Sequence, residues 1–393
     1  MALNKAFRAF SAVLLLILLP AMPVAAQAVL IPSSPQIAAS SYILMDPLSG
    51  RIIMEENSHE RLPPASLTKM MTAYIVEREL DEGRISLSDM VPISVNAWRT
   101  EGSRTFVKEG TEVSVENLLK GVIIQSGNDA SVALAEYIAG SEGAFVDIMN
   151  QQAQILGMNE SSFANATGLP APDHFSTAYD LALLAKAIIN DYPENYPLYA
   201  QKHFTYNNIR QPNRNSLLWR DDSVDGLKTG HTEESGYGLV GSAIRDDQRV
   251  IMVLNGMESM KQRSAESRRL MDLMFREFKL YKFFDADEAV DHANVWLGDA
   301  AKVGLILEEP LHTVMARSDR RKMKMKLQWN DPVPAPVVAG QKIGTLIVEV
   351  PGETRSYDLL AANDVEALGM FDRVGEALKY LVFGAGPDPE LMN

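Results

Sequence analysis

Apolar and polar positions change period several times along this 393-residue chain. Two short apolar runs, Tyr42-Ile43-Leu44-Met45 and Ile52-Ile53-Met54, flank Asp46-Pro47-Leu48-Ser49-Gly50. Turn formers between apolar runs predict a β-hairpin over 41–54. Pro63-Pro64 then opens a helix running from Ser66 to about Leu80. Residues 114–157 read as mostly helical, with Ser126-Gly127-Asn128 breaking the run, and a further helix fits 178–190. Strand-like stretches at 237–245 and 249–256 precede an amphipathic helix at about 262–280. Helices gathered with a few antiparallel strands predict an α/β sandwich ending near residue 278.

The pattern then switches to period two. Over Lys322-Met323-Lys324-Met325-Lys326-Leu327-Gln328-Trp329, Met, Met, Leu and Trp share one face, as a half-buried strand requires. Asp331-Pro332-Val333-Pro334-Ala335-Pro336 reads as a turn or linker, and Leu346-Ile347-Val348-Glu349-Val350 as another strand. Residues 279–365 are therefore expected to form a small all-β domain. Its lysine face is better read as a solvated strand surface than as a contact for anionic wall or lipid. Residues 366–393 form a last segment. Phe371, Val374, Leu378, Leu381 and Val382 recur at helical spacing, with Asp372, Arg373, Glu376 and Lys379 opposite them. Two readings stand: a helix lying in a membrane interface, or a terminal helix packed on the β domain.

Residues 1–28 do not belong to the fold. Lys5 and Arg8 precede an apolar stretch containing Val13-Leu14-Leu15-Leu16-Ile17-Leu18-Leu19, and small residues offer cleavage after Ala26 or Ala28. This is the pattern of a secretory signal peptide, with 29–278 left for the first domain. Loss of the two basic leader residues takes the formal charge from −14 to −16. A body this acidic argues against a nucleic-acid partner. The absence of cysteine excludes disulfides, thiol nucleophiles and Cys-ligated zinc. The six histidines show no ligand spacing, so no metal and no cofactor are expected.

Three short motifs carry chemistry. Ser66-Leu67-Thr68-Lys69 puts a hydroxyl and an amine three apart on one helix face, close enough to share a proton. Pro64 sets Ser66 near a helix N-terminus, where free N–H groups favour an oxyanion. Lys69 can act as a base only if burial or a neighbouring cation lowers its pKa from about 10.4. Lys228, in Lys228-Thr229-Gly230, is the expected cation if it faces the same cleft. Gly226 and Gly230 bracket that motif on a strand-like run, and Gly230 lets a substrate backbone approach closely. The Lys228 ammonium and Thr229 hydroxyl suit a terminal carboxylate. In Ser126-Gly127-Asn128 a hydroxyl could relay a proton and an amide could hold a carbonyl. The same tripeptide also serves as a plain helix cap.

In this order the motifs resemble those of the penicillin-recognising serine enzymes, S-x-x-K, S-[DG]-N and K-T-G. Ser103 in Glu101-Gly102-Ser103-Arg104-Thr105-Phe106, Asp180 in Ser176-Thr177-Ala178-Tyr179-Asp180, Arg214 in Asn213-Arg214-Asn215-Ser216-Leu217-Leu218-Trp219, Lys228-Thr229-Gly230-His231-Thr232, and Arg263 in Arg263-Ser264-Ala265-Glu266-Ser267 extend the resemblance. The chain is similar to the low-molecular-mass, type 5 penicillin-binding proteins, the D-alanyl-D-alanine carboxypeptidases, over nearly its whole length.

The resemblance implies a penicillin-binding, β-lactamase-like α/β catalytic domain and serine acyl transfer at the periplasmic side of the inner membrane. Ser66 would attack the carbonyl between two terminal D-alanines of a peptidoglycan pentapeptide stem, and Lys69 would take its proton. Ser126 would help pass the proton to the leaving D-alanine. Backbone N–H groups of Ser66 and His231 would form the oxyanion hole. Lys228, Thr229 and Arg214 would hold the free carboxylate, while Asn128 and Ser103 would line the cleft. β-Lactam antibiotics would acylate Ser66. The last helix, with balanced charge, would anchor by apolar burial rather than by attraction to anionic lipid. A β-lactamase of the same fold would need a deacylating carboxylate that the sequence does not identify. The gap between the first two motifs leaves no room for the insertion of the endopeptidase-like group. A non-catalytic wall-binding protein is the alternative of another class.

Overall fold

The computed structural model describes residues 36–370 together with Asp372, Val374 and Gly375. The signal-peptide reading and most of the amphipathic segment at 371–382 lie outside the described residues.

The hairpin forms where the turn residues predict it, from Ser41–Met45 (β1) and Ile52–Glu56 (β2). The Asp46 carboxylate closes the turn by accepting from Leu48 N at 3.3 Å and Ser49 N at 3.2 Å. The next helix differs from expectation. Ala65–Thr68 is a 3-10 turn, and the α-helix proper, α1, runs Lys69–Asp81. Ala65 has a φ of +49° at the entry of this turn, which runs straight into α1.

Two short strands, β3 (Met90–Pro92) and β4 (Glu112–Ser114), pair around α2 (Val95–Arg99). The expected helical region follows as α3 (Val115–Lys120), a π-turn at Gly121–Gln125, α4 (Asn128–Ala139) and α5 (Glu142–Ile155). The break falls at Ser126, whose φ is +64°. Helix α6 spans Ala178–Asp191, capped by the Thr177 hydroxyl. A hairpin of β5 (His203–Tyr206) and β6 (Ile209–Pro212) precedes β7 (Val224–Thr232), β8 (Gly236–Arg245) and β9 (Gln248–Met257). Helix α7 covers Met260–Glu277.

The main sheet is antiparallel, in the order β2-β1-β9-β8-β7. Its strands are apolar on both faces because both are covered. Ile43, Met45, Ile251 and Val253 join the core with α1, α4 and α6. Tyr42, Leu44, Met252 and Leu254 join Leu270, Met271 and Met274 of α7 on the other side. Pairing with β8 alone leaves β7 as an open edge beside the Ala65–Thr68 turn.

From Phe278 to Ala361 the named elements are all strands. Strand β10 (Phe278–Phe284) leaves α7 directly and pairs with β13 (Leu311–Ala316). A six-stranded sheet collects β11 (Asp291–Trp296), β12 (Lys302–Ile306), β14 (Lys324–Trp329), β15 (Val333–Pro334), β16 (Lys342–Val350) and β17 (Glu353–Ala361). In β14, Met325, Leu327 and Trp329 pack on the core while the lysines face outward, as the alternation requires. Arg51 ties the two parts together, donating to Val314 O at 2.6 Å and pairing with Glu353 at 3.3 Å. Leu368 N donates to Leu297 O at 2.9 Å, which ties the end of the β part to the residue after β11.

Candidate active site

Ser66 sits on the 3-10 turn between α1 and the β7 edge, half-buried and reachable. Lys69 starts α1, is 1% exposed, and directs Nζ to Ser66 Oγ at 3.3 Å. Nζ also donates to Thr167 O, a backbone acceptor from the loop before α6. Burial lowers the Lys69 pKa to about 7, helped by the guanidinium of Arg214 and opposed by the carboxylate of Asp129. The cation expected to do this was Lys228. Arg214 acts as such a cation on Lys69, and Lys228 is coupled to Lys69 as well, since the repulsion between the two buried amines is mutual.

Ser126 is 1% exposed and occupies the left-handed break between the π-turn and α4. Lys228, on β7 and 3% exposed, donates to Ser126 Oγ at 3.0 Å and to Thr229 O at 3.0 Å. Its pKa falls well below the usual value through burial, then through the charges of Lys69, Arg214 and Arg263. The first and third motifs, 159 residues apart, therefore share one field, and Lys228 binds the second motif directly.

Gly230 belongs to the same edge strand. A Cβ there would stand 3.0 Å from Leu67 Cγ and 3.1 Å from Pro64 O, so glycine is what lets β7 lie against the nucleophile turn. Thr229 is largely buried beside it, and the exposed His231 stacks its ring on Tyr237, with centroids 3.9 Å apart. Arg214 lies exposed at the mouth. Its Nη2 lies 3.3 Å from the Gln125 amide oxygen in the orientation that pairs donor with acceptor. Arg263, buried on α7, reaches Gly238 O at 3.4 Å and the carbonyls of Gly230 and Arg214 at 3.5 Å, which braces the edge strand from behind.

Asn128 and Ser103 meet through the backbone. Asn128 N donates to Ser103 O at 2.7 Å, and Asn128 Nδ2 donates to Glu101 O at 2.6 Å. Gly127 is tightly packed: a Cβ on it would overlap Thr105 Oγ1 and come 2.9 Å from Asp129 Oδ1. Asp180, which the motif comparison singled out, is instead a structural anchor. It accepts from Glu160 N at 2.9 Å and Ser161 Oγ at 2.7 Å.

Three contributors were not foreseen. Asp129 is fully buried and accepts from the backbone N–H groups of Thr105 (2.7 Å), Phe106 (2.8 Å), Val107 (3.2 Å) and Ala130 (2.9 Å), which fixes the 103–107 arm beside Asn128. The acidic residue following the second motif was the available signal. Thr167 acts through its carbonyl, which no side-chain pattern reveals. His174 places Nε2 2.8 Å from Thr68 Oγ1, and burial plus the Lys69 charge hold its pKa down to about 4. Among the described residues, no group of three or more His, Asp or Glu is arranged to hold a metal ion.

The arrangement supplies a hydroxyl beside a near-neutral amine, a second hydroxyl beside a second amine, and an open strand edge flanked by cations. That is equipment for acyl transfer from a substrate ending in a carboxylate. Comparisons with known proteins agree. Residues 28–259 match the family described as D-alanyl-D-alanine carboxypeptidase, and 278–367 the penicillin-binding protein 5 C-terminal domain. D-alanyl-D-alanine carboxypeptidase DacC of Escherichia coli is 42% identical over 350 residues, covering 87% of this chain and 88% of the relative. DacA of Haemophilus influenzae is 39% identical over 358 residues, covering 89% and 91%. Among solved structures, penicillin binding protein 5 from Haemophilus influenzae superposes with a TM-score of 0.78 at 39% identity, covering 85% of this chain and 99% of that one. Penicillin binding protein 6B from Escherichia coli gives 0.71 at 36%, covering 84% and 97%.

Proposed function

Because the chain belongs to the D-alanyl-D-alanine carboxypeptidase family, we propose that it removes the terminal D-alanine from peptidoglycan pentapeptide stems through an acyl-enzyme on Ser66. The observation that carries the residue roles is the Lys69 environment. An amine held near neutrality by burial, 3.3 Å from Ser66 Oγ, is a base already in place. Ser66 Oγ attacks the carbonyl between the two D-alanines as Lys69 Nζ takes its proton. The backbone N–H groups of Ser66 and His231 receive the oxyanion. The C–N bond then breaks, and Ser126 passes a proton to the departing amine. Water hydrolyses the ester and regenerates Ser66.

Lys228, Thr229 and Arg214 hold the free carboxylate of the substrate, so that only a chain end is accepted. Asn128 and Ser103 line the facing wall, and Gly230 lets the β7 edge lie against the nucleophile turn. Penicillins acylate the same serine. The leader at 1–28 supports export, and the amphipathic pattern at 371–382 supports a peripheral site on the periplasmic face of the inner membrane. No helix among the described residues is long and apolar enough to cross a membrane.

The test is release of D-alanine from a pentapeptide ending in D-Ala-D-Ala, with Ser66→Ala alongside. Release by the wild type and none by the variant is expected. No release by the wild type rejects the reading, and rapid turnover of penicillin moves it to a β-lactamase.

A further inference from the structure

The β part carries a concentration of positive charge that the acyl-transfer chemistry does not use. Residues 317–326 hold six cations, Arg317, Arg320, Arg321, Lys322, Lys324 and Lys326, against the single carboxylate of Asp319, in a chain of formal charge −14. All six are exposed. One sign gathered in this way on an acidic body projects a positive field into solvent.

The segment is held in shape. It makes the turn from β13 into β14, where Lys322 N and Met323 N donate to Asp319 O at 2.9 and 3.0 Å. Arg317 Nε donates to Arg276 O at 3.0 Å and fixes the turn against the end of α7. The Arg320 guanidinium lies over two rings of β10, 5.1 Å from the Phe283 centroid and 5.7 Å from that of Tyr281. Lys322 and Lys326 have carboxylate partners, Asp319 at 3.1 Å and Glu349 at 2.8 Å. Arg321 and Lys324 make no ion pair and no side-chain hydrogen bond among the described residues. Protection of an open edge accounts for the lysines of β14, which pairs only with β16. It does not account for Arg320 and Arg321, which precede the strand and guard no edge.

Position along the sheet identifies the partner. The basic turn sits at the α7 end of β14, and Trp329 closes the other end about 17 Å away. Beside Trp329 lie Asp331, which accepts from its Nε1 at 3.4 Å, and the pairing of Val295 with Val333. The Leu368–Leu297 link that leads out to 371–393 belongs to that same end. The segment proposed to meet the membrane thus departs from the end opposite the basic turn, so the polyanion at the turn is not lipid. On the carboxypeptidase reading each stem ends in a carboxylate, and a wall strand repeats such stems. We infer that the turn at 317–326 is a docking surface for the peptidoglycan strand itself, gripping carboxylates of stems outside the active site through Arg320, Arg321 and Lys324. The inference rests on the carboxypeptidase reading and adds capture of the polymer to it.

The test is cosedimentation of the purified protein with isolated peptidoglycan sacculi and, separately, with vesicles containing anionic phospholipid. Arg321→Glu/Lys324→Glu should bind sacculi about three- to tenfold more weakly than the wild type, the range for two exposed charge pairs. Salt at about 1 M should shrink that difference as the screening length falls to about 3 Å. Vesicle binding and D-alanine release from a soluble pentapeptide should not change in the variant. Lys261→Glu/Lys302→Glu alters the net charge equally at two exposed lysines outside the turn and should bind sacculi as the wild type does. Equal sacculus binding by the wild type and the turn variant, an equal loss in the control variant, or a loss confined to vesicles overturns the surface. No D-alanine from the wild type on the soluble peptide instead rejects the carboxypeptidase reading, and the stem as occupant with it.

Discussion

Gly168 lies with its α-carbon against the backbone of Ala65, so that a Cβ on Gly168 would overlap the Ala65 carbonyl oxygen and stand 3.0 Å from Ser66 N. Its φ of +81° independently favours glycine. Gly168→Ala must therefore push the nucleophile turn. Expected is a loss of about 1–3 kcal/mol in stability and a fall of about 10²-fold in the Ser66 acylation rate. Thermal melts and penicillin acylation kinetics check the two. A variant acylating at the wild-type rate would show that the turn is not held there.

Two charges pull the Lys69 pKa in opposite directions, and each can be removed. With Lys69 near 7 and acting as the base, kcat/KM should rise through about pH 7 as its proton leaves. Arg214→Gln removes a charge that disfavours the ammonium, so the limb should move to higher pH by up to about one unit. Asp129→Asn removes a charge that favours it, and the limb should move to lower pH. pH profiles of acylation decide this; shifts in the same direction would contradict the assignment.

Lys228 is buried among cations in the free site, which disfavours its proton. A bound carboxylate reverses the balance. Binding of a D-Ala-D-Ala peptide to Ser66→Ala should therefore favour the protonated amine, with net proton uptake at pH values above the lowered pKa of the free site. Calorimetry in buffers of different ionisation enthalpy measures it. Identical heats in both buffers would exclude the uptake.

Glu77, on α1, is buried with Oε1 accepting from the Tyr199 hydroxyl at 3.2 Å and Oε2 without a hydrogen-bond partner among the described residues. Burial pushes its pKa up to about 8. The folded state therefore keeps a proton that the unfolded chain releases above about pH 4.3. Stability from this group falls as pH rises from there to about 8, by up to about 1.4 kcal/mol per unit, and is level above. Glu77→Gln should melt higher than wild type at pH 8 and show a smaller margin at pH 5. A margin independent of pH would mean that Glu77 is ionised in the fold.

The hairpin, α6, α7 and the alternation of β14 were legible because each is a local period imposed on contiguous residues. Short elements were not: β3, α2, β4 and the β5–β6 hairpin are too brief for a period to emerge. The break at Ser126 was visible, but its left-handed backbone was not. Nor was the left-handed Ala65 that opens the serine turn.

By itself the sequence determined the cast and its order: a serine with a lysine three residues on, a second serine 60 residues later, and a lysine on an apolar strand 102 residues beyond that. Tertiary structure alone decided how they act on one another. It set Arg214 as well as Lys228 among the cations acting on Lys69, brought the Thr167 carbonyl to Nζ, and turned Asp129 inward to bind the 103–107 arm. The reason is physical. A pKa is set by burial and by charges within a few ångströms, and here those neighbours come from segments 60 to 159 residues away along the chain.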